Sequence, residues 1–133
     1  MPRACLIVCL VLFGASPSFA CEGETRVVFN EAATLQGILK DGKGEHEAQG
    51  PFEYVYLELE KPICVDAPPA TPGDEDAPQS IAEPVTRVQI AGEPSTEQLP
   101  IGKRVSVEGT LFSAHTMWHV EQVLIDAPGV ELR

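Results

Sequence analysis

Apolar and polar residues alternate with a period of two over five stretches of the chain, the pattern of strands that bury one face. From Thr25 to Leu39, Ala33, Leu35, Gly37 and Leu39 fall on one face and Thr34, Gln36 and Ile38 on the other. The internal Gly37 predicts a bulge or a tight bend. Phe52 to Glu60 sets Val55, Leu57 and Leu59 against Tyr54, Tyr56, Glu58 and Glu60. Val85 to Ile90 is a shorter strand with Val88 and Ile90 inward, and residues 102–111 place Val105, Val107, Gly109 and Leu111 on one face. A reversal at His115 to His119 leads into a fifth strand over Val120 to Ile125.

The intervening stretches read as connections. Residues 41–51 carry three glycines and Pro51 among polar side chains, which predicts a turn or loop. Pro62 predicts the end of regular pairing, with Ile63, Cys64 and Val65 as a short apolar tail. Residues 66–84 are Pro-rich, with an acidic centre at Asp74, Glu75 and Asp76, and predict an exposed, semi-extended loop. Within residues 91–100, Pro94 followed by Ser95 and Glu97 predicts one short helical turn over Glu93 to Glu97. No fixed repeat or heptad is present. Five strands so spaced predict an all-β fold, a small five-stranded, partly open Greek-key barrel of the OB type, with a two-layer β-sandwich as the alternative.

The first twenty residues change the setting rather than the fold. Arg3, an apolar run from Ala4 to Phe13, then Gly14, Pro17 and the small-residue end at Ser18 to Ala20 have the layout of a secretory signal peptide. The run falls short of the roughly 20 residues that span a bilayer, so residues 21–133 are expected as one exported domain with no transmembrane segment, periplasmic or secreted and monomeric. The formal net charge is −11, and loss of the leader removes only Arg3. Such a field disfavours nucleic acid and anionic lipid and favours cationic partners. Cys5 and Cys9 leave with the leader, so Cys21 and Cys64 remain for one disulfide in an oxidising compartment, joined where the first two strands form an antiparallel hairpin. The competing use of Cys21 is a lipid anchor at the cleavage site, although Ser18 and Phe19 depart from the lipoprotein signal.

Candidate chemistry is sparse and concentrates at the reversal. His115 and His119, four apart, lie about 13 Å from each other on an extended strand, but a reversal at Thr116 to Trp118 brings both to one ion. Zinc or copper suits imidazole, and His46, Glu121 or the amine of Cys21 is needed to complete the set. His46 and Glu47 open like an HExxH zinc-protease helix, but Gly50 replaces the second His and Pro51 follows, which excludes it. Ser113 and His115 share a strand face without the G-x-S-x-G elbow of a serine hydrolase. OB-type barrels bind on the face of their second and third strands and in the loops after the first and fourth. There this chain offers Tyr54, Tyr56, Phe112 and Trp118 among carboxylates, which suits a sugar, a peptide or a cationic surface.

Pro62 before Ile63-Cys64-Val65, then Val88-Gln89-Ile90, then the run GKRVSVEGTLFSAHT from Gly102, occur in an order that resembles a bacterial family described as a domain of unknown function, DUF4431. The resemblance is closest over residues 85–125 and looser over 33–65. It implies a small exported protein and no activity. The family is richer in His after the GTLF word, where this chain has Ser113, Trp118 and Val120; His115, Thr116 and His119 are the shared positions. The resulting expectation is a non-enzymatic envelope module that binds a protein, peptide or glycan, with a His-based divalent metal site second and a hydrolase third.

Overall fold

The computed structural model describes Cys21, residues 25–92 and residues 98–133, without the side chains of residues 127 and 128. The leader and the helical turn expected over Glu93 to Glu97 lie outside the described residues. Among the described residues six strands follow one another: β1 (Thr25–Val28), β2 (Ala32–His46), β3 (Gly50–Asp66), β4 (Val85–Ala91), β5 (Arg104–Ser113) and β6 (Val123–Leu132). No helix among the described residues is long and apolar enough to cross a membrane.

The fold is all-β, and the pairing runs in a closed circuit. β2 pairs antiparallel with β3 and β5, β5 antiparallel with β6, β6 parallel with β4, and β4 antiparallel with β3. Five strands thus follow the connectivity of an OB-type Greek key rather than two stacked sheets. The circuit is thinnest at β4, which meets β3 over Tyr56 to Glu58 and again at Ile63. The inward side chains are those of the period-two pattern: Leu35, Leu39, Val55, Leu57, Val88, Val105, Val107 and Leu111, joined by Val123 and Ile125 of β6, form one core. Fully burying each such side chain contributes about 2 kcal/mol.

The stretch expected as one strand from Thr25 is two. The chain reverses at Phe29 to Glu31, where Asn30 takes a positive φ of 67°, a conformation Asn tolerates better than most residues. After the reversal β2 runs antiparallel to β3, whereas β1 lies parallel to it, pairing Thr25 through Val28 with Ile63 through Asp66. Gly37 does not break the strand. It pairs with Leu59 on one side and Val105 on the other, and a β-carbon there would collide with the Glu58 carbonyl.

Residues 41–51 are not the expected loop. β2 and β3 continue as a two-stranded ribbon to a tight turn at Glu47 to Gln49. Gly42 and Gly44 serve there as floor rather than as turn residues, since they pair with Tyr54 and Phe52 and a side chain on either would strike those rings. Pro62 likewise does not end β3; it lies where the ladder to β4 is irregular, a position that asks no hydrogen bond of it. The Pro-rich segment is a connection as expected, exposed at its centre. It returns through Ile81, which packs on the core and donates its N–H to the Val65 carbonyl at 2.9 Å.

Cys21 and Cys64 form the disulfide, with their Cα atoms 5.6 Å apart. The meeting point is not a hairpin of the first two strands but the parallel pair of β1 and β3, where Arg26 lies opposite Cys64. Arg26 completes the joint: its guanidinium donates to both carboxylate oxygens of Asp66 at 2.9 Å and to the Cys21 carbonyl at 3.1 Å. Those two hydrogen bonds, then the paired charge, hold the Asp66 carboxyl below its ordinary range. The bridge spans 43 residues, so replacing both cysteines by alanine is expected to lower stability by about 4 kcal/mol in the chain-entropy account. Urea denaturation of the double variant measures this, and a loss under about 1 kcal/mol would show that β1 holds without the bridge.

Candidate functional site

Outward residues of four strands form a row around one side of the barrel. Tyr56 of β3 pairs with Gln89 of β4, Gln89 with Leu124 of β6, and Leu124 with Phe112 of β5. This row faces away from the core, yet Leu124 has no exposed surface and Tyr56 and Gln89 are buried. Their cover is the loop between β5 and β6, residues 114–122, which folds back over the sheet.

Gln89 holds that loop down. Its Nε2 donates to the Trp118 carbonyl at 3.0 Å, and its Oε1 accepts from the N–H groups of Val120 at 2.8 Å and Glu121 at 3.1 Å. A buried primary amide left without partners costs about 1–3 kcal/mol, so the loop and the side chain stabilise each other's burial. Tyr54 adds a second tether, its hydroxyl donating to Glu121 Oε1 at 3.0 Å. Burial, then that hydrogen bond, pushes the Tyr54 phenol up to about 12, so it remains a donor at neutral pH. Arg87 lies 4.7 Å above the centre of the Tyr56 ring and 3.9 Å from the same Glu121 oxygen.

The far end of the loop rests on the β2–β3 ribbon. Trp118 stacks on His46 with ring centres 4.3 Å apart and meets Phe52 edge-on at 4.9 Å. Gly44 leaves room for Val120 beside the Phe52 ring. What stays open to solvent is an apolar knuckle, with Met117 57% exposed, Trp118 41% and Val120 43%.

The three histidines are used as acceptors or donors to backbone. His119 Nδ1 accepts the N–H of His115 at 3.0 Å and of Thr116 at 3.2 Å, closing the turn that ends with the His119 N–H on the Thr116 carbonyl. His46 does the same at the ribbon tip, accepting from Ala48 and Gln49 at 3.2 Å each. An acceptor at Nδ1 puts the proton on Nε2, the nitrogen a metal would need bare. His115 has the opposite arrangement, with Nδ1 3.0 Å from the Ser113 carbonyl and Nε2 free.

The expected convergence of His115 and His119 is therefore present, with ring centres 4.7 Å apart, but only His115 offers a lone pair. His46 stacks on Trp118 instead of joining them, Glu121 is engaged by Tyr54 and Arg87, and Cys21 is bridged beside β3. Among the described residues no group of three or more His, Cys, Asp or Glu is placed to hold a metal ion. Ser113 meets His115 through its carbonyl, which forms no nucleophile–base pair.

Tyr54 and Tyr56, expected as an open stacking surface, are 8% and 7% exposed and lie beneath the chain's own loop. Phe112 is half-buried between His115 and His119, with ring centres 5.7 and 5.6 Å away. Of the expected aromatic set, Trp118 alone is broadly exposed, and the structure adds His46, Phe52, Gln89, Met117 and Val120 to it. One signal in the sequence bears on the additions: Gly42 and Gly44 alternate on one strand as Tyr54 and Phe52 do on the next.

The family model of a domain of unknown function, DUF4431, matches residues 87–128. The matched segment holds Arg87 and Gln89 of β4, all of β5, the covering loop and the start of β6. No curated protein matches the chain.

Gln89→Leu removes three hydrogen bonds from the loop while keeping a side chain of similar size at the buried position. Local opening is expected to become easier by about 2–3 kcal/mol, seen as a roughly hundredfold loss of amide-exchange protection at Val120 and Glu121. Burial, then the nearby His115, holds His119 below the ordinary histidine range. The unfolded chain therefore binds the proton first, and the contribution of neutral His119 is present above about pH 6.5 and lost as pH falls toward the folded value. An NMR titration should place the His119 midpoint in the folded protein below its own midpoint in the unfolded chain, with loosening of the Thr116 amide tracking it.

Proposed function

We propose a non-enzymatic binding module of the bacterial envelope, similar over residues 87–128 to the family model of a domain of unknown function, DUF4431, with its recognition surface at the Trp118 knuckle and the ribbon beneath it. The observation that carries this reading is the exposure of Met117, Trp118 and Val120 together on a loop that is otherwise firmly tethered. An exposed Trp held by stacking on His46 and Phe52 loses little freedom on binding, which is how a small surface yields useful affinity. Its position agrees with the loops through which OB-type barrels engage ligands.

Export to the periplasm, in a monomeric form, is part of the proposal. The leader-like first twenty residues and a disulfide between the two remaining cysteines both fit an oxidising compartment. A bridged Cys21 has no thiol left for a thioether-linked lipid, which favours a freely diffusing protein over an anchored one.

Trp118 is the chain's single tryptophan, so its emission reports directly on the proposed surface. Envelope extract separated into protein and glycan fractions should contain one fraction that shifts this emission saturably and is retained by the immobilised protein. Trp118→Ala is expected to lower retention at least about tenfold. A retention profile unchanged in the variant would remove Trp118 from the binding surface.

A further inference from the structure

Resting on the binding reading above, we infer that the partner is a protein segment presenting an apolar side chain flanked by Lys or Arg. Two features of the surface select it. The first is shape. The Trp118–His46 stack bridges the loop and the ribbon, and Tyr54 and Tyr56 lie buried beneath, so among the described residues their rings are not open to a ligand. A linear glycan or single-stranded nucleic acid, which would lie along a groove with its rings on the aromatic floor, finds the floor occupied. What the chain offers instead is a convex apolar knuckle, the counterpart of a pocket or crevice on another polypeptide.

The second feature is charge. The ribbon carries Asp41, Glu45, Glu47 and Glu53, all exposed and none in an ion pair among the described residues, against Lys43 alone. Lys40 is occupied by Glu58 at 2.8 Å, and Arg87 faces Tyr56 and Glu121. Asp41, Glu45 and Glu53 point to the side of the ribbon opposite Gly42, Gly44 and Trp118. The ribbon is one strand thick, so their field reaches the knuckle within the roughly 10 Å screening length at about 0.1 M salt. The net charge of −11 adds long-range attraction of the same sign. An apolar knuckle backed by unpaired carboxylates on the far face of the ribbon, with Lys43 alone among them, matches an apolar side chain flanked by cations.

The test uses synthetic peptides without Trp or Tyr, read by Trp118 emission and by calorimetry. One peptide alternates Lys and Leu, a second carries Glu in place of Lys, and a chito-oligosaccharide forms the glycan arm. The Lys/Leu peptide is expected to shift the emission saturably and to weaken about tenfold or more between about 50 mM and about 500 mM salt. The other two probes should leave the emission unchanged. Met117→Asp should weaken peptide binding at least about tenfold by calorimetry, and the combined Glu45→Gln, Glu47→Gln and Glu53→Gln variant several-fold, with unaltered circular dichroism in both. A saturable response to the oligosaccharide or the Glu peptide alone would overturn the partner class and leave the binding surface standing. Peptide binding indifferent to both Met117→Asp and Trp118→Ala would overturn the surface as well, and silence from all three probes would overturn the cationic partner.

Discussion

A primary amide cannot be buried on the outside of a barrel unless something brings it partners, and Gln89 is buried there. Its donor and its acceptor are both met by backbone of the β5–β6 loop, about thirty residues further along the chain. The position of that loop follows from this requirement more than from contacts of its own side chains. Once Trp118, Val120 and Glu121 are held by their backbone, Tyr54 gains its carboxylate partner, Leu124 its cover and Trp118 its place on His46. β4, which carries Gln89, is also the strand that links β3 to β6. The thinnest part of the circuit and the anchor of the surface are the same short element.

The ribbon supplies the other half of the surface by an unusual division of labour between its strands. β2 contributes Gly42, Gly44 and His46 to the face on which β3 contributes Tyr54 and Phe52. Glycine weakens a strand by leaving nothing to pack, but here large rings from the partner strand lie across the bare backbone and recover the buried area. His46 then extends the aromatic surface to the tip while its Nδ1 closes the turn. At the opposite end, the disulfide and the Arg26–Asp66 pair fasten a four-residue strand that pairs with β3 alone among the described strands.

Period-two alternation reveals the inward faces of β2, β3, β4 and β5 because each core position sees the same apolar interior whatever its neighbours in sequence. It is silent on the outer face. Tyr54 and Tyr56 look like half-exposed strand residues, since nothing local announces a loop that returns some sixty residues later. Gly-rich residues 41–51 look like a turn because glycine's turn propensity is local, whereas its use as a floor depends on the rings opposite. The reversal at His115 to His119 is legible from the spacing of its two strands. The tautomers within it are not, for they follow from which backbone N–H groups point at which ring nitrogen.

Those tautomers also separate two uses of the same residues. An imidazole that coordinates through Nε2 normally sends its Nδ1 proton outward to a carbonyl or carboxylate. His115 is arranged in this way and His119 is not, so recruiting both to one ion would require the turn to give up two N–H bonds at Nδ1. The cost falls on the segment that positions Trp118. His119 and His46 each close a turn through Nδ1, and the two turns together fix the aromatic knuckle. Rigidity of that kind is what the proposed recognition by surface complementarity would draw on, because the ordering cost is met during folding and not at the moment of binding.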